Sequence, residues 1–414
     1  MTSAHMFTGL TWDHPRGYDA LAAAAATARK SGLRIQWDRQ PLEGFESAAI
    51  DRLAQEYDLL VIDHPHLGDA LDKRCLQEIS ALFDPSRLAA WRDQSIGQSF
   101  SSYSYGAGQW ALPLDAATQV AAWRPELSSD PAPSKWSDML SYAQRHPICL
   151  SLAGPHAFLT LCSIATAFGA GMGDHQATLF MGGDMTAAWD MLSSLHAHSP
   201  AAWRDKNPIA LLHGMSATDE IAYCPLVYGY VNYAGPRGPG KRISFIDAPR
   251  GPGGAVGSVL GGTGIAITRR CQVTPALLRH LEHLMAPDTQ TSFIPGHNGQ
   301  PSARAAWADK ALNAEYNGFY ANTQRTLESA FVRPRFPGYT RFQLEASDAV
   351  RELLASHAAA TAALSRLENL YRAAISAGSD TAYPGTGSAG GAQHAIHPSR
   401  HAPHTSPHGI SKGI

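Results

Sequence analysis

Apolar positions in the first quarter of the chain fall into short runs whose spacing alternates between that of a strand and that of a helix. Residues 6–10 form an apolar run that predicts a strand and ends in Thr11-Trp12-Asp13-His14-Pro15-Arg16-Gly17. An Ala-rich helix is expected over 18–31, closed by Gly32. Residues 33–37 alternate as a second strand, 45–56 have helical spacing, and 58–63, Asp-Leu-Leu-Val-Ile-Asp, read as a buried strand. The order is β-α-β-α-β, which predicts parallel strands. In open sheets of this kind ligands bind beyond the carboxyl ends of the strands, where Trp12-Asp13-His14 and Asp63-His64-Pro65-His66 both fall.

Residues 108–125 have a different pattern: an extended segment, a kink at Pro113, and a second extended segment through Trp123. A strand that leaves one sheet and enters another would join two lobes by a hinge, with Asp115, Thr118 and Gln119 on the floor of the cleft between them. Beyond it the pattern predicts helices over 135–144, 157–170 and 186–198, strands over 148–153 and 243–248, and an aromatic strand and loop over 221–233. The run Gly261-Gly262-Thr263-Gly264-Ile265-Ala266-Ile267 is expected to be a second crossing strand. A helix over 275–285, a loop over 295–302, a helix over 319–331, a rigid turn over 332–339 and two helices within 341–374 complete the ordered part. From residue 376 the composition turns to Gly, Ser, Pro and His, which predicts a disordered tail.

A length of 414 residues favours two domains over one core. With 44% hydrophobic residues, 16% charged and a net charge of −2, the chain should be globular and has no basic field for nucleic acid. No apolar run is long enough to cross a membrane. The five cysteines are dispersed, without a C-x-x-C, and are expected as buried free thiols. Residues 1–6 are polar and lead directly into a strand, so no secretion signal is expected.

In their order and spacing several stretches resemble the type II periplasmic solute-binding proteins of ABC importers, the maltose-binding-protein-like branch, over about residues 6–375. They are Leu10 to Tyr18, Asp58 to Pro65, Ala111-Leu112-Pro113 to Trp123, Gly296 to Ser302, and Pro334-Arg335-Phe336-Pro337-Gly338-Tyr339. The resemblance implies an α/β fold of two lobes joined by a hinge with crossing strands. By analogy lobe I is 1–112 with 262–325 and lobe II is 113–261 with 326–375, leaving 376–414 as tail. It also implies a monomer, a periplasmic location and permease subunits as partners. The missing export signal would instead leave the chain in the cytoplasm.

Candidate binding groups follow from the strand ends. Trp12, Tyr228 and Tyr230 can stack on a sugar or another flat ring, or be core aromatics. Asp13 and Asp63 can accept from ligand hydroxyls or cap the following turns. His14, His64 and His66 could bind zinc if they converged, and otherwise hydrogen-bond a ligand or the turns. Gly262 and Thr263 lie in a glycine-rich run that lacks the lysine of a nucleotide loop and suits a hinge. Asn232 and the His297-Asn298 turn offer amide and imidazole groups to a polar ligand. Nucleophile-elbow, H-E-x-x-H and S-x-x-K motifs are absent, which lowers the expectation of an enzyme acting at the cleft. The tail histidines could bind transition metal loosely. The reading is a non-enzymatic receptor without cofactor that takes a small polar organic solute, carbohydrate-like, by hinge closure for an ABC importer. The alternative is a cytoplasmic sensor or carrier on the same fold.

Overall fold

A computed structural model describes residues 5–174 and 176–379. Strands β1 (Met6–Trp12), β2 (Arg34–Gln40) and β3 (Leu59–Ile62) form the predicted parallel unit, with β1 between the other two. A hairpin of β4 (Ser104–Tyr105) and β5 (Gly108–Gln109) precedes the long strand β6 (Leu112–Trp123). Strands β7 (Tyr223–Tyr228), β8 (Ser244–Ile246) and β9 (Leu260–Ile267) complete a seven-stranded sheet ordered β2-β1-β3-β9-β6-β7, with β8 also on β6.

The expected double crossing is built from β6 and β9. The first part of β6, Leu112 to Thr118, pairs antiparallel with β9, whose other edge pairs with β3. From Gln119 onward β6 exchanges that neighbour for β7 and β8. One strand therefore belongs to both halves of the sheet. Opposite Ala116, just before the change-over, Gly262 has φ +90°, and a β-carbon there would run into the Asp115 carbonyl oxygen, so both the backbone angle and the approach of β6 require glycine. A third ladder contact joins Val259 to Phe331, and this is why the helix expected over 319–331 ends at Glu328.

Each half has its own core. Phe7, Leu21, Trp37, Leu59, Ile265 and Leu281 pack on the β1-side sheet. On the other side Trp136, Phe158, Trp189, Tyr339 and Leu367 form one cluster, and Leu211, Phe245, Trp307 and Tyr320 form another. Burying each such side chain contributes roughly 1.5–3 kcal/mol. The helices between Arg304 and Glu328 pack in this second half, although sequence order had grouped them with the first.

Local differences have local causes. The helix expected over 18–31 is α1 (Pro15–Arg29), because Pro15 fits the first helical position and the His14 side chain accepts from the Arg16 amide. The helix expected over 45–56 is two, α2 (Leu42–Ser47) and α3 (Ile50–Glu56), separated by extended backbone at Ala48 and Ala49. Residues 148–153 form no strand: Ile148 and Leu150 point into one cluster and Cys149 into the other, and only Ile148 bridges, to Tyr223. The last helix, Ala360–Ser379, runs past the expected tail boundary at 376. The rest of that tail, with its histidines, lies outside the described residues.

Candidate functional site: a cleft at the waist

The turn from β1 into α1 fixes the first wall. Thr11 donates to the Gly17 carbonyl at 2.8 Å, and Gly17 lies so close under the Trp12 indole that any side chain there would overlap the ring. Trp12 is thereby held flat, with Phe45 of α2 at 5.4 Å between ring centroids. The second wall comes from the end of β7, from Tyr230, and from His156 at the start of helix His156–Ala167. Gly261, Gly262 and Thr263 of β9 form the floor, and Glu46 and Asp63 complete the lining. The cavity is narrow, about 50 Å³. A smaller inner compartment of about 30 Å³, bounded by Leu114, Asp115 and Gln300, shares Trp12, Arg16 and Thr263 with it.

Charges beneath the cleft are locked in pairs. Arg16 donates to both carboxylate oxygens of Asp115, at 2.7 and 2.5 Å, and to the Gly229 carbonyl at 3.0 Å, while its guanidinium lies 4.4 Å over the Tyr230 ring. A residue of the first half thus grips the crossing strand and the second half together. Asp63 is bound by Arg333, which also donates to Gln343, and it accepts from the His64 amide at 2.9 Å. Burial alone would raise the Asp63 pKa, but the Arg333 charge and these hydrogen bonds outweigh it and hold the carboxyl well below its usual range.

Other groups lining the cleft are unsaturated. Trp12 Nε1, Tyr228 Oη and Thr263 Oγ1 are buried and make no hydrogen bond among the described residues. Both ring nitrogens of His156 are in the same state: Nε2 lies 3.1 Å from Glu46 Oε1, within ion-pair range but misaligned for a hydrogen bond. A buried polar group left without a partner costs about 1–3 kcal/mol. Several such atoms gather around this one cavity, alongside others buried elsewhere in the fold.

Of the residues singled out from sequence, Trp12, Asp63, Tyr228, Tyr230, Gly262 and Thr263 line the cleft, and Asp115 lines the inner compartment. The others sit elsewhere. Asp13 is exposed and paired with Arg39 at 3.0 Å. His14 lies behind Tyr230, 4.9 Å between rings, where burial and the Arg16 charge lower its pKa to about 3. His64 accepts from the Arg333 amide, and burial followed by the Arg333 charge lowers it to about 4. His66 hydrogen-bonds the Asp63 carbonyl. Thr118 and Gln119 are not on an open floor: they are buried in a network with Ser258, Thr160 and Ser163. Asn232 donates to the Asn298 carbonyl, Asn298 to Asp19, and His297 bonds Phe293. The three loop histidines do not converge, and among the described residues no group of three or more His, Cys, Asp or Glu is placed to hold a metal ion.

Arg16, Glu46 and His156 were missed. Arg16 was legible only as part of a Pro-Arg-Gly turn, and its partner Asp115 is 99 residues away. Glu46 and His156 had no motif around them.

No family model matches the chain, and no curated protein matches it. Solved structures do. An ABC transporter solute-binding protein from Agrobacterium radiobacter K84, in complex with ribitol, is 18% identical with a TM-score of 0.73, covering 89% of this chain and 98% of that one. One from Thermotoga lettingae TMO, bound with α-D-tagatose, has a TM-score of 0.74 at 15% identity over 90% and 100%. The Thermus thermophilus maltotriose-binding protein bound with maltotriose gives 0.70 at 16% over 90% and 100%. No described helix is long and apolar enough to cross a membrane. Over nearly its whole described length, this chain has the two-lobed α/β fold of the type II, maltose-binding-protein-like solute-binding proteins of ABC transporters.

Proposed function

We propose that the chain is a solute-binding protein that captures a small, polar, carbohydrate-like molecule in the cleft at the waist and performs no chemistry on it. The observation that carries this is the ring of buried, unpartnered polar atoms on Trp12, Tyr228, Thr263 and His156, set beside aromatic faces that can cover the C–H surface of a sugar or polyol. Lobe I is residues 1–112 with 262–302, and lobe II is the remainder to 375, a division that follows the two cores. Contacts across the cleft, such as Glu46 to His156 and Asn207 to Glu43, form only when the lobes are shut, so a ligand touching both walls shifts the population toward closure. The closed form would deliver its ligand to ABC permease subunits, and the relatives of this fold named above, all with bound polyols or sugars, favour that role.

The test is a thermal-shift and calorimetric screen over polyols, monosaccharides and short oligosaccharides, with X-ray scattering of each hit. Saturable stabilisation with a fall in radius of gyration is expected. Stabilisation without compaction, or none across the panel, would refute capture by closure.

A further inference from the structure

We infer that the ligand carries a positive charge beside its hydroxyl groups: an aminated sugar or polyol whose ammonium meets Glu46. This deepens the proposed function and rests on the cleft being the binding site.

The argument is a charge count around the cavity. Arg16 and Asp115 neutralise each other through two aligned hydrogen bonds, and Asp63 is met from below by Arg333 through one. Glu46 is left over. Its one ion-pair neighbour among the described residues is His156, whose ring meets it off-axis and hydrogen-bonds nothing else. The Glu46 side chain is partly shielded, with 16% exposure, and its carboxylate receives no aligned donor among the described residues. Burying a charge in that way is costly unless a cation or strong donors compensate it. The surrounding surface has the matching character. Trp12, Phe45 and Tyr228 bring aromatic rings to the same cavity, and an ammonium gains from ring faces as well as from a carboxylate. Trp12 Nε1 can only donate, so the same ligand must also present an oxygen acceptor, and the Tyr228 and Thr263 hydroxyls suit further ones. One cation with several hydroxyl oxygens is the pattern of an amino sugar or amino polyol. The Tyr230 face is not available to it, because Arg16 already covers that ring.

Matched pairs of probes test this. Calorimetric titration of the full chain with glucosamine against glucose, and with 1-amino-1-deoxyglucitol against glucitol, should give tighter binding of the amine in at least one pair, by roughly 10- to 100-fold, the worth of a charged hydrogen bond. In Glu46→Gln, which keeps shape and removes charge, that preference should collapse while the neutral partner's affinity changes little. Equal binding of amine and neutral sugar, with Glu46→Gln weakening both alike, would make Glu46 a positioning residue for His156, overturning the charge inference and leaving capture in the cleft intact. Amine preference that survives Glu46→Gln would overturn it too, by placing the cation elsewhere. Binding of neither member of either pair counts against the amino-sugar inference, while stabilisation by other members of the wider panel would still uphold the cleft reading.

Discussion

Two neighbouring regions of the waist are opposite in how their buried polar groups are met. In the knot around Arg16, guanidinium, carboxylate, the Gly229 carbonyl and the Tyr230 ring satisfy one another with good geometry. Along the wall beside it, Trp12 Nε1, Tyr228 Oη and Thr263 Oγ1 have no partner among the described residues. Saturated polar groups hold a structure together; unsaturated ones weaken it unless another molecule completes them. The contrast separates residues that build the hinge from residues that read the ligand, and it can be attacked from either side.

The largest effect is expected in the knot. Arg16→Met strands the buried Asp115 carboxyl without its partner, and should lower the unfolding free energy by about 3–5 kcal/mol in a denaturant titration. Adding Asp115→Leu should restore most of that loss, because an apolar pair of similar size removes the stranded carboxyl; no recovery would mean that Arg16 acts mainly through Gly229 and Tyr230.

Acid should come next. Burial lowers the pKa of His280 to about 4, with a smaller contribution from the charge of His283, and His64 and His14 are lowered to about 4 and 3. Below the ordinary value of 6.5 the unfolded chain takes up protons that these folded imidazoles refuse, so stability falls as the pH drops from about 6.5 toward 4. Asp63, depressed by Arg333, acts in a lower window: its contribution is present above the ordinary carboxylate value and is lost only as the pH falls below about 4. His280 lies away from the cleft, so His280→Gln should flatten the melting-temperature profile between pH 6.5 and 4 without altering ligand affinity.

The wall variants should be the mildest for stability and the most specific for binding. Trp12→Phe keeps an aromatic face and removes the lone donor. Affinity for a ligand found in the screen should drop by roughly tenfold, the worth of one hydrogen bond, with little change in melting temperature. Thr263→Val removes an unpartnered hydroxyl at constant shape. It should leave the free protein as stable or slightly more so, and weaken binding by a smaller factor. If Thr263→Val destabilises the free protein instead, that hydroxyl belongs to the knot and not to the wall.

Much of this was legible in the chain because strand ends are local. Trp12 and Asp63 were found at the carboxyl ends of β1 and β3 from apolar runs in a β-α-β order, and Tyr228 and Thr263 by their runs. What escaped depends on distance in sequence. Nothing near Arg16 announces Asp115, and nothing near Asp63 announces Arg333, 270 residues on. Thr118 and Gln119 follow the β6 pattern of a cleft floor, yet β6 changes partners at that point, so they are buried by Ser258, Ser163 and Thr160. The helices between Arg304 and Glu328 were assigned by their place in the order of elements, whereas an amphipathic helix joins whichever core its apolar stripe meets.

The position of β9 also has a consequence for synthesis. It lies between β3 and β6, so the half of the molecule that emerges first from the ribosome has a gap in its sheet until residue 267 has been made, and lacks Leu277, Leu281 and Leu284 for longer still. That half must wait, partly open and with apolar strand edges bare, while most of its companion is already translated. It is therefore the stretch of the nascent polypeptide most in need of chaperone cover.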